Sequence, residues 1–197
     1  MSNSLSVAQP RKRAPLWLWP LVWGALLLLS VVAMSAAEPL FRWIEPDARQ
    51  VIYDRADFYV LLGRHLLVVG IAALVTVVVG VSAGIAVTRE RGSDFLPLVG
   101  QLASLGQTFP PVAVLALAVP VLGFGTLPII VALMLYGMLP IVRNTLAGLQ
   151  AVDIDIKTAA HAMGMTPTQT LRYVELPLAA PVILAGIRTS VTINIAT

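Results

Sequence analysis

The sequence contains no cysteine, which excludes disulfide frameworks, thiolate metal sites and cysteine nucleophiles. Histidine is almost as scarce: His65 and His161 lie far apart, and neither falls in a metal-binding spacing such as H-E-x-x-H. The sequence also has no glycine-rich phosphate-binding loop, so the usual pattern for binding ATP is missing. These absences predict a chain with no catalytic residue, no metal site and no cofactor of its own.

Charged residues are also few. Only 12% of the residues are charged and 58% are hydrophobic, whereas a soluble domain has about a quarter charged and about half apolar residues. The net charge of +3 gives little electrostatic support for a nucleic-acid partner. The composition therefore predicts an all-α integral membrane protein.

Long apolar runs fill most of the chain. A helix needs about 20 apolar residues to cross the hydrocarbon core of a bilayer. The third run contains Pro110, Pro111 and Pro120, which predict a bend or a break near Phe109. We predict about five transmembrane helices, with a cytoplasmic tail 1–15, an N-terminal transmembrane helix 16–36, a periplasmic loop 37–59, and a core 60–197 that holds the segments 60–87, 96–122, 127–149 and 179–197.

The first apolar segment has two interpretations. The basic residues before it, Arg11 to Arg13, and the small residues Ser35 and Ala37 at its end also fit a cleaved signal peptide. A retained signal-anchor helix is favoured by three tryptophans that resemble an interfacial aromatic belt, namely Trp17, Trp19 and Trp23.

The basic residues also predict the orientation in the membrane, because they concentrate in cytoplasmic loops. An N-terminus in the cytoplasm leaves only Arg42, Arg49 and Arg55 clearly on the periplasmic side, among a majority of acids. The polar stretch between the last two spans is then cytoplasmic. The basic residues on the cytoplasmic side are Arg11, Lys12, Arg13, Arg89, Arg91, Arg143, Lys157 and Arg172.

That polar stretch, 153–177, predicts two short helices. Asp153 and Asp155 lie at the start of the first helix, next to the positive end of its dipole. Gly164 fits the position after a helix, where a left-handed backbone is needed. A second helix restarts at Thr166-Pro167-Thr168-Gln169, which has the residues of a capping box with proline at the first helical position. Pro177 is predicted to end this second helix at the membrane.

The surface of this loop fits two roles. Its small apolar face suits a groove on a soluble partner, whereas an ordinary amphipathic loop rests on lipid headgroups. The order of residues from Ala159 to Pro177 favours the first role: Ala-Ala, three residues, Gly, nine residues, Val-x-Leu-Pro. This pattern resembles the EAA loop of permease subunits in bacterial ABC importers, the MetI-like permease family. In that family the loop is the coupling helix seated in a groove of the ATPase.

The apolar spans extend the resemblance. The stretches 106–149 and 174–190 are similar to permeases of the osmoprotectant group, which import glycine betaine, choline and related compounds. The resemblance covers about residues 60–197 and implies a MetI-like permease bundle in the bacterial inner membrane, with ATP bound by another chain. The residues it implies for ATPase coupling are Thr158, Ala159, Ala160, Met163, Gly164, Val174, Leu176 and Pro177.

The resemblance also implies a set of partners. These are a cytoplasmic ABC ATPase dimer, a second permease subunit in a homo- or heterodimer, a periplasmic or lipid-anchored substrate-binding protein, and membrane lipid. Two alternatives stay open: an importer of this kind for another small solute such as an amino acid, and an ion-coupled secondary transporter. The middles of the second, third and fourth spans hold no acid or histidine for proton coupling, but a broken helix is compatible with sodium binding.

This sequence departs from the family pattern in two places. Thr158 stands where the family has a leading glutamate, so an ion pair between that carboxylate and the ATPase is not expected. The family continues beyond the position of Thr197 through a small-residue loop and another transmembrane helix. We therefore expect the C-terminal part of the bundle to be missing from these 197 residues.

The broken span suggests a substrate pathway. Prolines free backbone groups where a helix lines a cavity or is buried in protein, and aromatic faces attract quaternary ammonium groups. The alternative is that these residues only pack helices together. Arg188 is a further candidate for the pathway or a partner subunit, although we favour snorkelling or pairing with a carbonyl because its charge repels quaternary ammonium. The pathway candidates are Gln107, Phe109, Pro110, Pro111 and Tyr136.

Overall fold

The computed structural model describes residues 18–46, 52 and 56–197, and all regular structure in these residues is helical. The all-α prediction is therefore confirmed. The predicted tail 1–15, the basic residues Arg11 to Arg13, Trp17, Arg49 and Arg55 lie outside the described residues. The helices are α1 (Leu18–Ala36), α2 (Glu38–Ile44), α3 (Phe58–Val87), α4 (Leu96–Thr108), α5 (Pro111–Leu122), α6 (Thr126–Gln150), α7 (Ile154–Ala162), α8 (Pro167–Thr170) and α9 (Leu176–Ala196).

The chain divides into two compact units, Met1–Gly63 and Arg64–Thr197. In the first unit α1 corresponds to the predicted N-terminal span, and α2 lies inside the predicted loop 37–59 at 70° to α1. Pro39 is the second residue of α2, where a missing N–H costs no helical hydrogen bond. Glu38 and Arg42, one turn apart, form an exposed ion pair of 2.8 Å.

Three helices of the described residues are long and apolar enough to cross a membrane: α3, α6 and the continuous helix Pro167–Ala196. Two bent pairs, α1 with α2 and α4 with α5, bring the number of candidate spans to as many as five. This agrees with the predicted number. α3 begins in the first unit and continues into the second.

The second unit is built around α6, which its neighbours approach closely at glycines. A Cβ on Gly84 of α3 would lie 2.7 Å from Thr145 Cγ2, and one on Gly186 of α9 would lie 2.7 Å from the carbonyl oxygen of Pro140. Lipid tails are as apolar as side chains, so helices in a bilayer associate mainly through such close van der Waals contact. The glycines therefore set how near α3 and α9 lie to α6.

The third predicted span is broken where its prolines indicate. The residue before a proline avoids the helical region, and Phe109, which precedes Pro110, is extended at φ −96°, ψ 143°. Pro111 then occupies the first position of α5, where a missing N–H costs nothing. The helices on either side meet at 103°, so the predicted break near Phe109 is confirmed.

Pro177 does not end a helix, so that prediction is wrong. The chain is helical from Pro167 to Ala196. A proline ring crowds the carbonyl four residues earlier, here that of Tyr173. This carbonyl lies in a π-helical turn (Leu171–Glu175), in which the Leu176 N–H bonds the Leu171 carbonyl. A π turn is wider than an α turn, so it accommodates the proline and the helix continues into α9.

The closest approach of all gives a test of the packing. A Cβ on Gly106 of α4 would lie 2.0 Å from the Leu135 carbonyl oxygen of α6, whereas one on Gly100, also on α4, would meet nothing within 4 Å. We expect Gly106→Ala to lower the free energy of unfolding by about 1–3 kcal/mol through overpacking. Thermal unfolding of the purified protein in detergent measures this.

Gly100→Ala is the matched control for this substitution. It adds the same methyl group to the same helix and raises helix propensity by up to about 1 kcal/mol, so it should leave the melting temperature unchanged or raise it. Equal melting temperatures for the two variants would show that the approach of α4 to α6 does not limit stability.

Candidate functional site

The stretch between α6 and the last span is positioned by hydrogen bonds at both ends of α7. Asp153 caps the helix, because its Oδ1 accepts a hydrogen bond from the Asp155 N–H at 2.9 Å. Lys157 extends back to α6, and its Nζ donates to the Leu149 carbonyl at 3.3 Å. A cation at the end of a helix complements its dipole. The end of α6 and the start of α7 are therefore held together.

Gly164 ends α7 in the manner that the sequence predicts. Its φ of +84° is in the left-handed region. The Met165 N–H bonds the Ala160 carbonyl at 3.1 Å and the Gly164 N–H bonds the His161 carbonyl at 2.9 Å, which together form a Schellman motif. The reversal of the chain after α7 thus depends on a backbone conformation that glycine alone adopts readily.

The next helix starts with the predicted capping box. Thr166 Oγ1 accepts from the Gln169 N–H at 3.3 Å, and Gln169 Oε1 accepts from the Thr166 N–H at 2.8 Å. Pro167 follows Thr166 at the first helical position. Both predictions for this start are confirmed.

Not all of the predicted coupling residues lie on one surface. Thr158, Ala159, Met163 and Gly164 are exposed on α7 and its turn, and Met163 is 76% exposed. Ala160 is 2% exposed and packs inward, because side chains at i and i+1 of a helix point in different directions; it does not share the exposed face of the other α7 residues. Val174 and Leu176 are half-buried in the helix that enters the membrane, and Pro177 is exposed.

The exposed face of α7 also includes two isoleucines that the sequence analysis did not assign. Ile154 is 69% exposed and Ile156 is 44% exposed. The Thr158 hydroxyl, which stands in place of a carboxylate, donates to the Ile154 carbonyl of its own helix at 2.9 Å. Between Asp155 and His161 the exposed side chains of α7 are therefore uncharged, and Lys157, which is half-buried, is bound to the end of α6.

A buried ion pair attaches this loop to α3. Arg89, two residues beyond the end of α3, donates from Nη2 to Glu175 Oε2 at 2.5 Å. The Glu175 side chain is 6% exposed and that of Arg89 is 33% exposed. The Thr88 hydroxyl accepts from the same guanidinium at 3.1 Å. The pair joins residues 86 positions apart, so the loop is connected to two spans and not only to its neighbours in sequence.

Sequence reasoning missed this pair. Arg89 was assigned only as an orientation signal, and Glu175 only as the variable residue of Val-x-Leu-Pro. The sequence does contain a signal for the pair. Glu175 lies two residues before Pro177, where the helix enters the membrane, and a carboxylate at such a position is costly unless it is paired.

Three of the pathway candidates meet at the break in the third span. The Tyr136 hydroxyl donates to the Phe109 carbonyl, and Gln107 Nε2 donates to the Tyr136 carbonyl at 3.1 Å. Pro110 and Pro111 form the corner itself. Two hydrogen bonds therefore join this corner to α6, one donated by Tyr136 of α6 and one accepted by its carbonyl.

An apolar groove of about 750 Å³ lies beside this break, between α3, α4, α5 and α6. Phe109 contributes to it, but its lining contains no charged or hydrogen-bonding side chain. Such a surface suits lipid or another helix rather than a polar solute. Among the described residues, no group of three or more acids or histidines is placed to hold a metal ion.

The sequence of this chain is similar to those of known proteins. Residues 76–197 match the family described as "Binding-protein-dependent transport system inner membrane component". The chain belongs to this family. The family description is that of an inner-membrane component in a transport system that depends on a binding protein.

Individual permeases are also similar to this member of the family. The osmoprotectant import permease protein OsmY of Salmonella typhimurium is 46% identical over 150 residues, which are 76% of this chain and 61% of the relative. The choline transport system permease protein OpuBB of Bacillus subtilis is 44% identical over 128 residues, 64% of this chain and 58% of the relative. The chain thus spans about three fifths of the length of these curated relatives.

A third relative is covered more fully. The osmoprotectant import permease protein OsmW of Salmonella typhimurium is 37% identical over 155 residues, 76% of this chain and 71% of the relative.

The ion pair provides a test of how the loop is attached. Glu175→Gln removes the charge that Arg89 binds and leaves the guanidinium partly buried. Breaking a buried pair costs about 3–5 kcal/mol, and the partial exposure of Arg89 places the expected loss at or below the lower end of that range. Protease digestion of the loop in membrane vesicles and thermal unfolding in detergent should both show a weaker attachment.

Glu90→Gln is the matched control, because Glu90 is the exposed acid next to Arg89. It should leave both measurements unchanged, since exposed charges contribute little. If Glu175→Gln behaved like Glu90→Gln, the ion pair would not hold the loop.

Proposed function

We propose that this chain is the permease subunit of an ATP-driven importer that moves glycine betaine or a related compatible solute across the inner membrane. The observation that carries the proposal is the capped loop between α6 and the last span, with its exposed apolar α7 face. The names of the relatives, which include osmoprotectant import and choline transport, support the substrate class.

The proposal includes the partners and the orientation. A dimer of ATPase chains binds ATP and receives α7 in a groove, a second permease subunit completes the pathway, and a periplasmic or lipid-anchored protein delivers the solute. The N-terminus and the loop 153–177 face the cytoplasm, in keeping with the basic residues on that side. No catalytic group and no nucleic acid take part in the function of this chain.

The geometry supports a way of coupling ATP to transport. When ATP binding closes the ATPase dimer, the groove that holds α7 moves this helix. The exposed apolar side chains of α7 and its turn that contact the groove include Ile154 and Met163. The Arg89–Glu175 pair carries that movement to α3, and the continuous helix from Pro167 carries it to α9. ATP shifts the balance of outward- and inward-facing states only through such differential contacts.

We infer that the break in the third span faces the pathway on its aromatic side. Phe109 is 49% exposed, and the hydroxyl of Tyr136 is used internally, which leaves the two rings as surface for a quaternary ammonium group. Gln107, Pro110 and Pro111 shape the corner. The hydrogen bonds of this corner are also compatible with a packing role, and substitutions at Tyr136 separate the two roles.

Two runner-up functions differ in what drives uptake. A related importer for another small solute, such as an amino acid, keeps the ATP requirement but ignores glycine betaine and choline. An ion-coupled carrier needs no ATPase and stops when the ion gradients collapse. The exposed α7 face favours an ATP-driven system over an ion-coupled one.

Labelled glycine betaine uptake tests the proposal and the loop together. The host lacks its own importers and expresses this chain with the ATPase, binding protein and second permease of its system. We expect uptake that survives collapse of the ion gradients and ceases without ATP. In Gly164→Val it should fall at least tenfold while the chain still reaches the membrane, because a β-branched residue at φ +84° is strained.

Gly164→Asn is the matched control, since asparagine tolerates the left-handed region. It should keep most of the uptake. Nothing lies within 4 Å of a Cβ at this position, so the two variants differ in backbone strain and not in clashes. Equal uptake by Gly164→Val and the unmodified chain would contradict the role of the loop.

The pathway assignment predicts different effects for two changes at Tyr136. Tyr136→Phe keeps the ring but leaves the Phe109 carbonyl without its donor, so thermal stability should fall while the KM for solute stays the same. Tyr136→Leu removes the ring and should raise KM several-fold. If both variants only lose stability, the corner packs helices and does not contact solute.

A further inference from the structure

Counted along α9, Arg188 falls near the middle of the last candidate span. It is eleven residues beyond Pro177, where the loop joins the span, and a rise of 1.5 Å per residue puts it about 16 Å into the membrane. The hydrocarbon core is about 30 Å thick. A charged side chain at this depth is costly unless it faces water, a partner or a functional site.

The described residues offer the guanidinium no partner. Their two ion pairs are Arg42 with Glu38 and Arg89 with Glu175, and no hydrogen bond from the Arg188 side chain is formed within the described part of the chain. Pairing with a carbonyl, the role favoured from sequence, therefore finds no support there. Snorkelling requires a reach of about 15 Å to either surface, which is beyond a three-carbon stem.

The side chain points away from the packed side of α9. It is exposed, whereas the buried positions of the helix recur at intervals of three and four and form the stripe packed against the bundle. Those buried positions are Ala179, Ile183, Gly186, Ser190 and Asn194.

Two threonines accompany Arg188 on the exposed side and line the same shallow concavity of about 600 Å³. The Thr189 hydroxyl donates to the Ala185 carbonyl at 3.0 Å, and the Thr192 hydroxyl donates to the Arg188 carbonyl at 2.9 Å. Because each hydroxyl hydrogen is bound by the helix, the lone pairs of both oxygens remain available. The concavity therefore presents a cation and two acceptor oxygens side by side.

This arrangement complements a zwitterion. A guanidinium binds a carboxylate through paired charge-assisted hydrogen bonds, and the hydroxyl oxygens suit the polarised methyl groups of a quaternary ammonium. The larger groove between α3 and α6 has no polar side chain in its lining, so it offers no partner for the carboxylate and no hydroxyl oxygen for the ammonium group. Arg188 repels the quaternary ammonium group of choline. In a solute that also carries a carboxylate, the attraction between the guanidinium and the carboxylate offsets this repulsion.

We propose that Arg188 binds the carboxylate of zwitterionic solutes as they pass along α9, with Thr189 and Thr192 beside their ammonium group. This inference rests on the proposed function and makes Arg188 the residue that selects carboxylated solutes over choline. Choline has the same ammonium group but no carboxylate, so the two solutes differ in the contact at issue.

Paired uptake of labelled glycine betaine and choline by the complete transport system tests the inference. In Arg188→Gln we expect the KM for glycine betaine to rise about tenfold to a hundredfold, the loss typical of a hydrogen bond to a charged group. Choline uptake should be unchanged or higher, because a repulsive charge is removed. Arg188→Lys should keep part of the preference for glycine betaine, since it restores the charge without the planar fork.

Arg91→Gln is the matched control. It removes one positive charge from an exposed arginine outside the candidate spans, and it should leave the ratio of the two uptakes unchanged. Copurification of the second permease with each variant checks assembly.

Equal losses for both solutes in Arg188→Gln would overturn the inference, because a residue that only stabilises the assembly does not distinguish the two solutes. Uptake of choline without glycine betaine by the unmodified system would overturn it as well. If the unmodified system takes up glycine betaine but not choline, the two uptakes cannot be compared, and the KM for glycine betaine becomes the readout. A fall in kcat with no rise in this KM in Arg188→Gln would then overturn the inference. Uptake of neither solute before any substitution would instead refute the proposed function, and the inference with it.

Discussion

Close backbone approach to α6 is the constraint on which the rest of the structure depends. Helices in a bilayer gain little from hydrophobic burial against each other, because lipid is equally apolar. Contact at Gly84, Gly106 and Gly186 provides the packing instead. These contacts all involve α6. The position of α6 therefore determines where the break beside Tyr136 lies and where the α7 loop begins.

The loop combines strong local order with few attachments. Its caps, its Schellman turn and its capping box determine its internal shape without help from a partner. Its polar attachments to the described part of the bundle are Lys157 on α6 and the Arg89–Glu175 pair. Leu171 and Leu176 add apolar contacts with the cluster formed by Leu149, Ala179 and Ile183. A segment of this kind keeps its shape while its contacts with a partner change. A loop must keep its shape in this way if it is to transmit a movement from a partner to the bundle.

The parts of this structure that could be predicted from sequence are those decided by a few adjacent residues. Asp153, Gly164 and the Thr166 capping box form because side chain and backbone groups within one turn satisfy each other. The break at Phe109 follows from the two prolines after it. In each case the residue type restricts the backbone regardless of what surrounds it, so composition and order suffice.

The rest depended on contacts that adjacent residues do not encode. Arg89 and Glu175 are paired by the packing of α3 against the loop, and their separation in sequence gives no sign of it. Ala160 is buried because of the direction in which α7 lies on the bundle. Pro177 was expected to stop a helix by its own chemistry, but a π turn before it absorbs the crowded carbonyl.

The uninterrupted helix from Pro167 to Ala196 makes the loop and the last span mechanically one lever. Its 30 residues measure about 45 Å at 1.5 Å per residue, so a tilt of about 10° about its Pro167 end would displace the far end by about 8 Å. Arg188, 21 residues from that end, would move by about 5 Å. A small tilt at the loop thus becomes a displacement of several ångström at Arg188, provided that the helix stays rigid through its π turn.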